Sequence, residues 1–138
     1  TKDLNAVTSY VSKLPAANGK VAVAGFCWGG GQTFRFASDN PNIRKAFVFY
    51  GSAPEEAELK RIVAPVEGFY AENDARINAT IDQTIASMKK LGKQYKPVVY
   101  KGAGHGFMRA GEAPDAKAGN KEARSKAWKR WLEVLRKM

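Results

Sequence analysis

Cysteine and histidine are the scarcest reactive residues in this chain, one of each among 138. A single cysteine excludes an internal disulfide and a cysteine-based metal cluster. A lone thiol fits a reducing compartment, so a cytoplasmic setting is expected. No apolar run approaches the ~20 residues of a membrane-spanning helix, and no signal-peptide pattern opens the chain. Neither a membrane partner nor a cofactor or metal is therefore expected. Repeats, low-complexity segments and linkers are also missing, so residues 1–138 read as one domain large enough for a real core. Acidic residues are few, 13 against 23 lysines and arginines, leaving a net charge of +10. Much of that excess lies near the C-terminus, in Lys117, Lys121, Arg124, Lys126, Lys129, Arg130, Arg136 and Lys137. A basic balance raises nucleic acid as a partner. No zinc-finger, RNP or basic-zipper pattern accompanies it, so a solvated helix face is the preferred reading. Attraction of anionic small molecules lies between the two.

What is present is a regular alternation of helical and strand patterns. Leu4, Val7, Tyr10, Val11 and Leu14 recur at three- and four-residue spacing and predict a helix over about 3–14, ended by Pro15 and Asn18-Gly19. Lys20 to Gly25 reads as a strand apolar enough to be buried on both faces. A helix to about Ser38 follows. Further strands are expected at 45–50, 65–71 and 97–101. Helices are expected at 55–62, at 77–91 (Ile77, Ile81, Ile85, Met88 and Leu91 on one face) and at about 116–137. In the last, Ala127, Trp128, Trp131, Leu132 and Leu135 form a stripe that faces core or a partner. Strands alternating with helices imply right-handed βαβ units, hence an α/β, three-layer αβα fold on a parallel sheet of about four strands.

Gly25-Phe26-Cys27-Trp28-Gly29-Gly30-Gly31 sits between the first strand and the next helix. Strand, sharp glycine-lined turn, helix is the nucleophile-elbow arrangement, with cysteine in the serine position. Gly25 and Gly29 are expected to remove side chains that would clash as strand and helix approach. The helix N-terminus beneath the sulfur favours thiolate. In parallel sheets functional groups gather at the carboxyl ends of strands. Cys27, Asp74 and His105 each follow a predicted strand, in the order nucleophile, acid, histidine. His105 would take the Cys27 proton and return it to the leaving group. Asp74 would fix the imidazole tautomer. Singly, each has a plainer reading, as a buried cysteine, a helix-capping aspartate and a surface histidine.

Together, Gly25-Phe26-Cys27-Trp28-Gly29-Gly30, the strand end Tyr50-Gly51, the loop Glu72-Asn73-Asp74 and Gly104-His105-Gly106-Phe107-Met108-Arg109 resemble the dienelactone hydrolase (carboxymethylenebutenolidase) family of the α/β-hydrolase fold. The resemblance runs along the whole chain and implies an ester or lactone hydrolase. It implies Cys27 as nucleophile, Asp74 and His105 as its partners, and the Trp28 backbone N–H as an oxyanion donor. Arg109 falls on a position that binds the substrate carboxylate, a role its fork-shaped cation suits, and Tyr50 on the pocket wall. Family members carry strands and loops ahead of the matched segment. These supply another oxyanion N–H, a glutamate that helps activate the cysteine and a second carboxylate-binding arginine, none of which maps here. The chain thus reads as a truncated hydrolase fold, a fragment or a short relative. Its first strand becomes a sheet edge without proline or inward charge, which recruits another chain; a homodimer through that edge is expected. Two rival functions stand beside the hydrolase, a weak or inactive relative that binds or scaffolds, and a basic nucleic-acid binder.

Overall fold

A computed structural model describes residues 1–138. Four strands, β1 (Ala22–Phe26), β2 (Lys45–Phe49), β3 (Val66–Asn73) and β4 (Tyr95–Gly104), form one sheet in the order β1-β2-β3-β4, and every neighbouring pair is parallel. The helices are α1 (Lys2–Val11), α2 (Trp28–Asp39), α3 (Glu56–Leu59), α4 (Ala75–Asn78), α5 (Ile81–Lys90), α6 (Phe107–Ala110) and α7 (Ala118–Leu135).

Strand alternation sorts the core into two halves. Ala46 and Val48 of β2 join Phe34, Phe36 and Ala37 of α2 and Ile81 and Met88 of α5 on one face. Phe47 and Phe49 join Phe107 of α6 and Ala123 and Ala127 of α7 on the other. This is the three-layer αβα architecture expected from the alternation of elements.

Several local expectations are corrected. The helix expected over 77–91 is two helices. Asn78 turns its amide back to the Ala71 and Glu72 carbonyls, and Thr80 bonds the Ile77 carbonyl, so the chain breaks before α5. The strand at 97–101 is longer at both ends. Pro97, the expected first residue of this strand, lies inside β4 opposite Gly68; an edge strand tolerates proline because one side of its ladder is free. β1 is not buried on both faces: Val23 is half-buried, and Ala24 and Phe26 are exposed. It pairs with β2 alone. The stripe on α1 is real in spacing but is not buried, and no α1 residue is. Tyr10 is 68% exposed and Val7 56%.

The basic C-terminal helix is not simply a solvated face. Arg130 donates to the Glu67 carboxylate at 2.6 Å, to the Gly68 carbonyl at 2.8 Å and to the Lys96 carbonyl at 2.7 Å, and lies over the Phe69 ring. Glu67, only 3% exposed, also faces Lys45 at 3.6 Å. Arg124 donates to the Met108 carbonyl at 2.9 Å and pairs with Glu112. These arginines bolt α7 to β3 and to α6, and so fix the segment that follows His105.

Candidate active site

The turn between β1 and α2 is the most constrained piece of backbone in the molecule. Cys27 has φ 55° and ψ −122°, and Tyr50 at the end of β2 has φ 40°; no other non-glycine residue has positive φ. Strain of this kind costs about 1–3 kcal/mol per residue and persists where packing over-determines it. Here the determinants are close approaches. A Cβ on Gly25 would lie 2.0 Å from the Gly29 carbonyl oxygen and 2.4 Å from Thr33 Oγ1. One on Gly30 would lie 2.6 Å from the Phe49 oxygen, and one on Gly51 2.3 Å from the Gly30 carbon. Strand and helix thus meet backbone to backbone through Gly25, Gly30 and Gly51. Gly29, paired with Gly25 in the reading of the sequence, meets nothing within 4 Å. That expectation is corrected: the tight contact is made by the Gly29 carbonyl, not by the space its side chain would fill. Cys27 N–H donates to the Phe49 carbonyl at 3.1 Å, continuing the sheet ladder into the turn. The thiol is exposed at the top of the sheet.

Asp74 and His105 converge on the same end. Asp74 is 8% exposed and directly precedes α4, whose Asn78 N–H donates to the Asp74 carbonyl at 2.9 Å. His105 follows β4. Its Nδ1 lies 2.5 Å from Asp74 Oδ2. Gly104 N–H donates to Asn120 Oδ1 at 2.9 Å, and Gly102 N–H to Glu72 Oε2 at 2.8 Å, so the histidine loop is tied to α7 and β3. With Nδ1 toward Asp74, Nε2 is left for the cavities beside Cys27.

Two cavities open at Cys27, and both are also lined by His105. The larger, about 520 Å³, is walled by Phe26, Tyr50, Met108 and Trp128 and carries Arg109 and Arg124. The smaller, about 290 Å³, is walled by Gln32, Arg35, Ser52 and Arg76. Tyr50 is buried, edge-on to the His105 ring at 5.1 Å between centroids and to Phe107 at 5.3 Å. Burial, then the neighbouring Cys27, push its phenol far above the ordinary range, against the opposing pulls of the Met108 backbone and Arg109. The hydroxyl therefore keeps its proton well above neutral pH.

The model of the dienelactone hydrolase family matches residues 1–138. The chain belongs to the dienelactone hydrolase family. A protein of Saccharolobus solfataricus, provisionally named a carboxymethylenebutenolidase, is 33% identical over 138 residues, covering 99% of this chain and 51% of that protein. A rat carboxymethylenebutenolidase homolog is 27% identical over 78% of this chain and 44% of its own length. Among solved structures, a provisionally named dienelactone hydrolase of Klebsiella pneumoniae superposes with a TM-score of 0.80 at 26% identity, over 95% of this chain and 57% of that one. An acylaminoacyl peptidase of Pyrococcus horikoshii, 15% identical with a TM-score of 0.77, shares the fold. The chain spans about half the length of the curated relatives it matches.

Every site residue named from the dienelactone hydrolase resemblance lies at one end of this sheet. Cys27, Tyr50, His105 and Arg109 line the larger cavity, Trp28 the smaller, and Asp74 stands behind His105. No site role was expected for Phe26 and Met108, which lie inside the quoted motifs, or for Trp128 on the apolar wall, nor for Gln32, Arg35, Ser52 and Arg76 on the polar one. Most belong to segments with other evident jobs, and only tertiary packing turns them toward Cys27. Arg76, two residues past the aspartate at the tip of a strand, carried a usable signal.

Proposed function

We propose that this chain is the part of a dienelactone hydrolase-like enzyme that cleaves a carboxylate-bearing ester or lactone through a cysteine nucleophile. The observation that carries the reading is the strained Cys27 opening onto cavities shared with His105, whose Nδ1 lies 2.5 Å from Asp74. In this reading His105 Nε2 takes the Cys27 proton as the sulfur bonds to the substrate carbonyl carbon. The carbonyl electrons move to oxygen, where the Trp28 N–H meets the developing charge. Collapse of the tetrahedral adduct breaks the carbon–oxygen ester bond. The proton on His105 passes to the departing alkoxide, leaving an acyl-thioester on Cys27. His105 then deprotonates water, which attacks the thioester and releases the acid, the proton returning to sulfur. Asp74 accepts from Nδ1–H throughout and holds the tautomer. Arg109 receives the substrate carboxylate, and Tyr50 donates into the same cavity. The exposed thiol suits a reducing cytoplasm.

Chromogenic ester turnover tests the reading, together with mass detection of an acyl group on Cys27. Cys27→Ala and His105→Ala should each abolish turnover, the double change adding little. Activity that survives either change sinks the assignment. A second reading, a weakly active or inactive binding protein, is favoured by the openness of the site, since Trp28 is 80% exposed; lack of a second oxyanion donor would cost about 10²–10³ in rate. Binding of a carboxylate product without turnover is its signature.

The open edge of β1 is the proposed seat of a second copy. β1 has one neighbour, Phe26 is 40% exposed, and Phe26 packs on Trp131, which stacks on the exposed Trp128. Two-fold pairing would join β1 to its equivalent, antiparallel. Light scattering across a dilution series tests it, with Val23→Pro expected to shift the chain to monomer; a monomer at high concentration refutes it.

A further inference from the structure

The proposed chemistry uses the side chains of the larger cavity and, from the lining of the smaller one, only Cys27, His105 and the Trp28 N–H. The smaller cavity shares both Cys27 and His105 with its neighbour, so a substrate placed across the sulfur enters both. Their linings differ in kind. Four apolar or aromatic side chains wall the large one, where Glu112 offsets Arg124 at 3.3 Å. Arg35 and Arg76 face the small one, with Gln32 and Ser52 as neutral hydrogen-bonding groups and no carboxylate among its lining residues. Arg35 is held from behind by Glu58 at 3.5 Å. Arg76 makes no ion pair and no side-chain hydrogen bond.

Arg76 is nevertheless on a fixed platform. One neighbour along the chain, Ile77, is 2% exposed in the core. Asp74, two residues before it, is occupied by His105, so the nearest acid in sequence does not neutralise it. Asn78, two residues after, anchors the helix to the Ala71 and Glu72 carbonyls. An exposed guanidinium without a protein partner, on anchored backbone and lining a cavity shared with Cys27, can receive a carboxylate or phosphate.

We infer that the small cavity is a second subsite, in which Arg76 takes an anionic group carried by the half of the substrate opposite to the half held in the apolar cavity. Arg35, Gln32 and Ser52 supply its remaining polar wall. The inference rests on the hydrolase reading and narrows its substrate class to esters bearing an anion on each side of the scissile bond. One half is apolar and larger, with its carboxylate at Arg109; the other is small and polar, with a carboxylate or phosphate at Arg76. Arg76 is thus a specificity-determining residue, distinct in role from Arg109.

Two measurements test it, and they separate its failure from that of the hydrolase reading. The first is alkylation of Cys27 by iodoacetate and by iodoacetamide at one ionic strength, which needs no turnover. Arg76→Ala should lower the iodoacetate-to-iodoacetamide rate ratio by about tenfold, the lower part of the range for losing a hydrogen bond to a charged group at an exposed site. Arg76→Lys should restore part of it. The second is kcat/KM on three matched aryl esters: one neutral, one with a carboxylate on the acyl half and one with a carboxylate on the aryl half. Arg76→Ala should depress one anionic ester by about tenfold, and Arg109→Ala should depress the other. The neutral ester should hold within about twofold in Arg76→Ala. An unchanged alkylation ratio, or equal losses by Arg76→Ala on all three esters, overturns the inference. Esterase activity with no dependence on Arg76 leaves the hydrolase standing without this subsite. A ratio that depends on Arg76 in a chain without turnover leaves the anion site standing without the hydrolase.

Discussion

Adding one methyl group at Gly25 and one at Gly29 should have opposite effects, though the two glycines flank the same cysteine. At Gly25 the new Cβ would stand 2.0 Å from the Gly29 carbonyl oxygen, and real Cβ contacts essentially never fall below 3.0 Å. Since the obstacle is backbone, relief means moving the first turn of α2 away from β1 by about 1 Å. Thr33 Oγ1, at 2.4 Å, blocks a second direction. Overpacking of this kind costs about 1–3 kcal/mol, occasionally more. The shift also carries the Cys27 sulfur and the Trp28 N–H from their places, and a misplacement near 1 Å costs about 10²-fold in rate. At Gly29 a Cβ meets nothing within 4 Å, and the residue already lies in the first turn of α2 with ordinary φ. Alanine there should stabilise by up to about 0.5 kcal/mol, from the lower entropy of the unfolded chain. Urea unfolding of the two variants reads the sign directly, and ester turnover reads the displacement. Equal destabilisation by both would refute the claim that the elbow is closed through Gly25 and not Gly29.

Arg109→Ala should weaken turnover of an ester bearing a carboxylate on the half that Arg109 receives by about 1.5–3 kcal/mol, with a neutral ester of similar size little affected; equal losses would make Arg109 structural. In the Glu67–Arg130 pair, Arg130→Ala should cost less than about 3–5 kcal/mol, the cost of a fully orphaned buried charge, because Lys45 still faces Glu67 at 3.6 Å. Exchanging the two for apolar residues together should cost far less in a thermal or urea melt. Burial pushes the Tyr70 phenol up to about 12 and raises those of Tyr50, Tyr95 and Tyr100 as well. The unfolded chain releases these protons more readily. Their contribution to stability is therefore whole below pH 10, the unfolded value, and for Tyr70 is lost as pH rises through about 12. Phenolate absorbance should rise in step with unfolding above pH 10; full ionisation of these phenols in the folded protein near pH 10 would contradict their burial.

The sequence by itself determined the order of the strands and longer helices, the parallel sheet, and Cys27, Asp74, His105 and Arg109 as residues to test. Period-2 and period-3.6 patterns are local, and a glycine-lined turn between an apolar strand and a helix has few backbone solutions. Thus Cys27, Asp74 and His105 could be chosen from their places after strands alone. Pairing was beyond reach, because it depends on which side chains meet across elements far apart in the chain. Arg130 looked like surface charge until β3 set Glu67 beneath it. The apolar stripe on α1 looked like core and is not, since periodicity records which face is apolar and not whether anything covers it. Tertiary structure alone decided which glycine closes the elbow, and that Arg76 stands unpaired beside the cysteine. Both depend on distances between backbones and charges that no local pattern encodes.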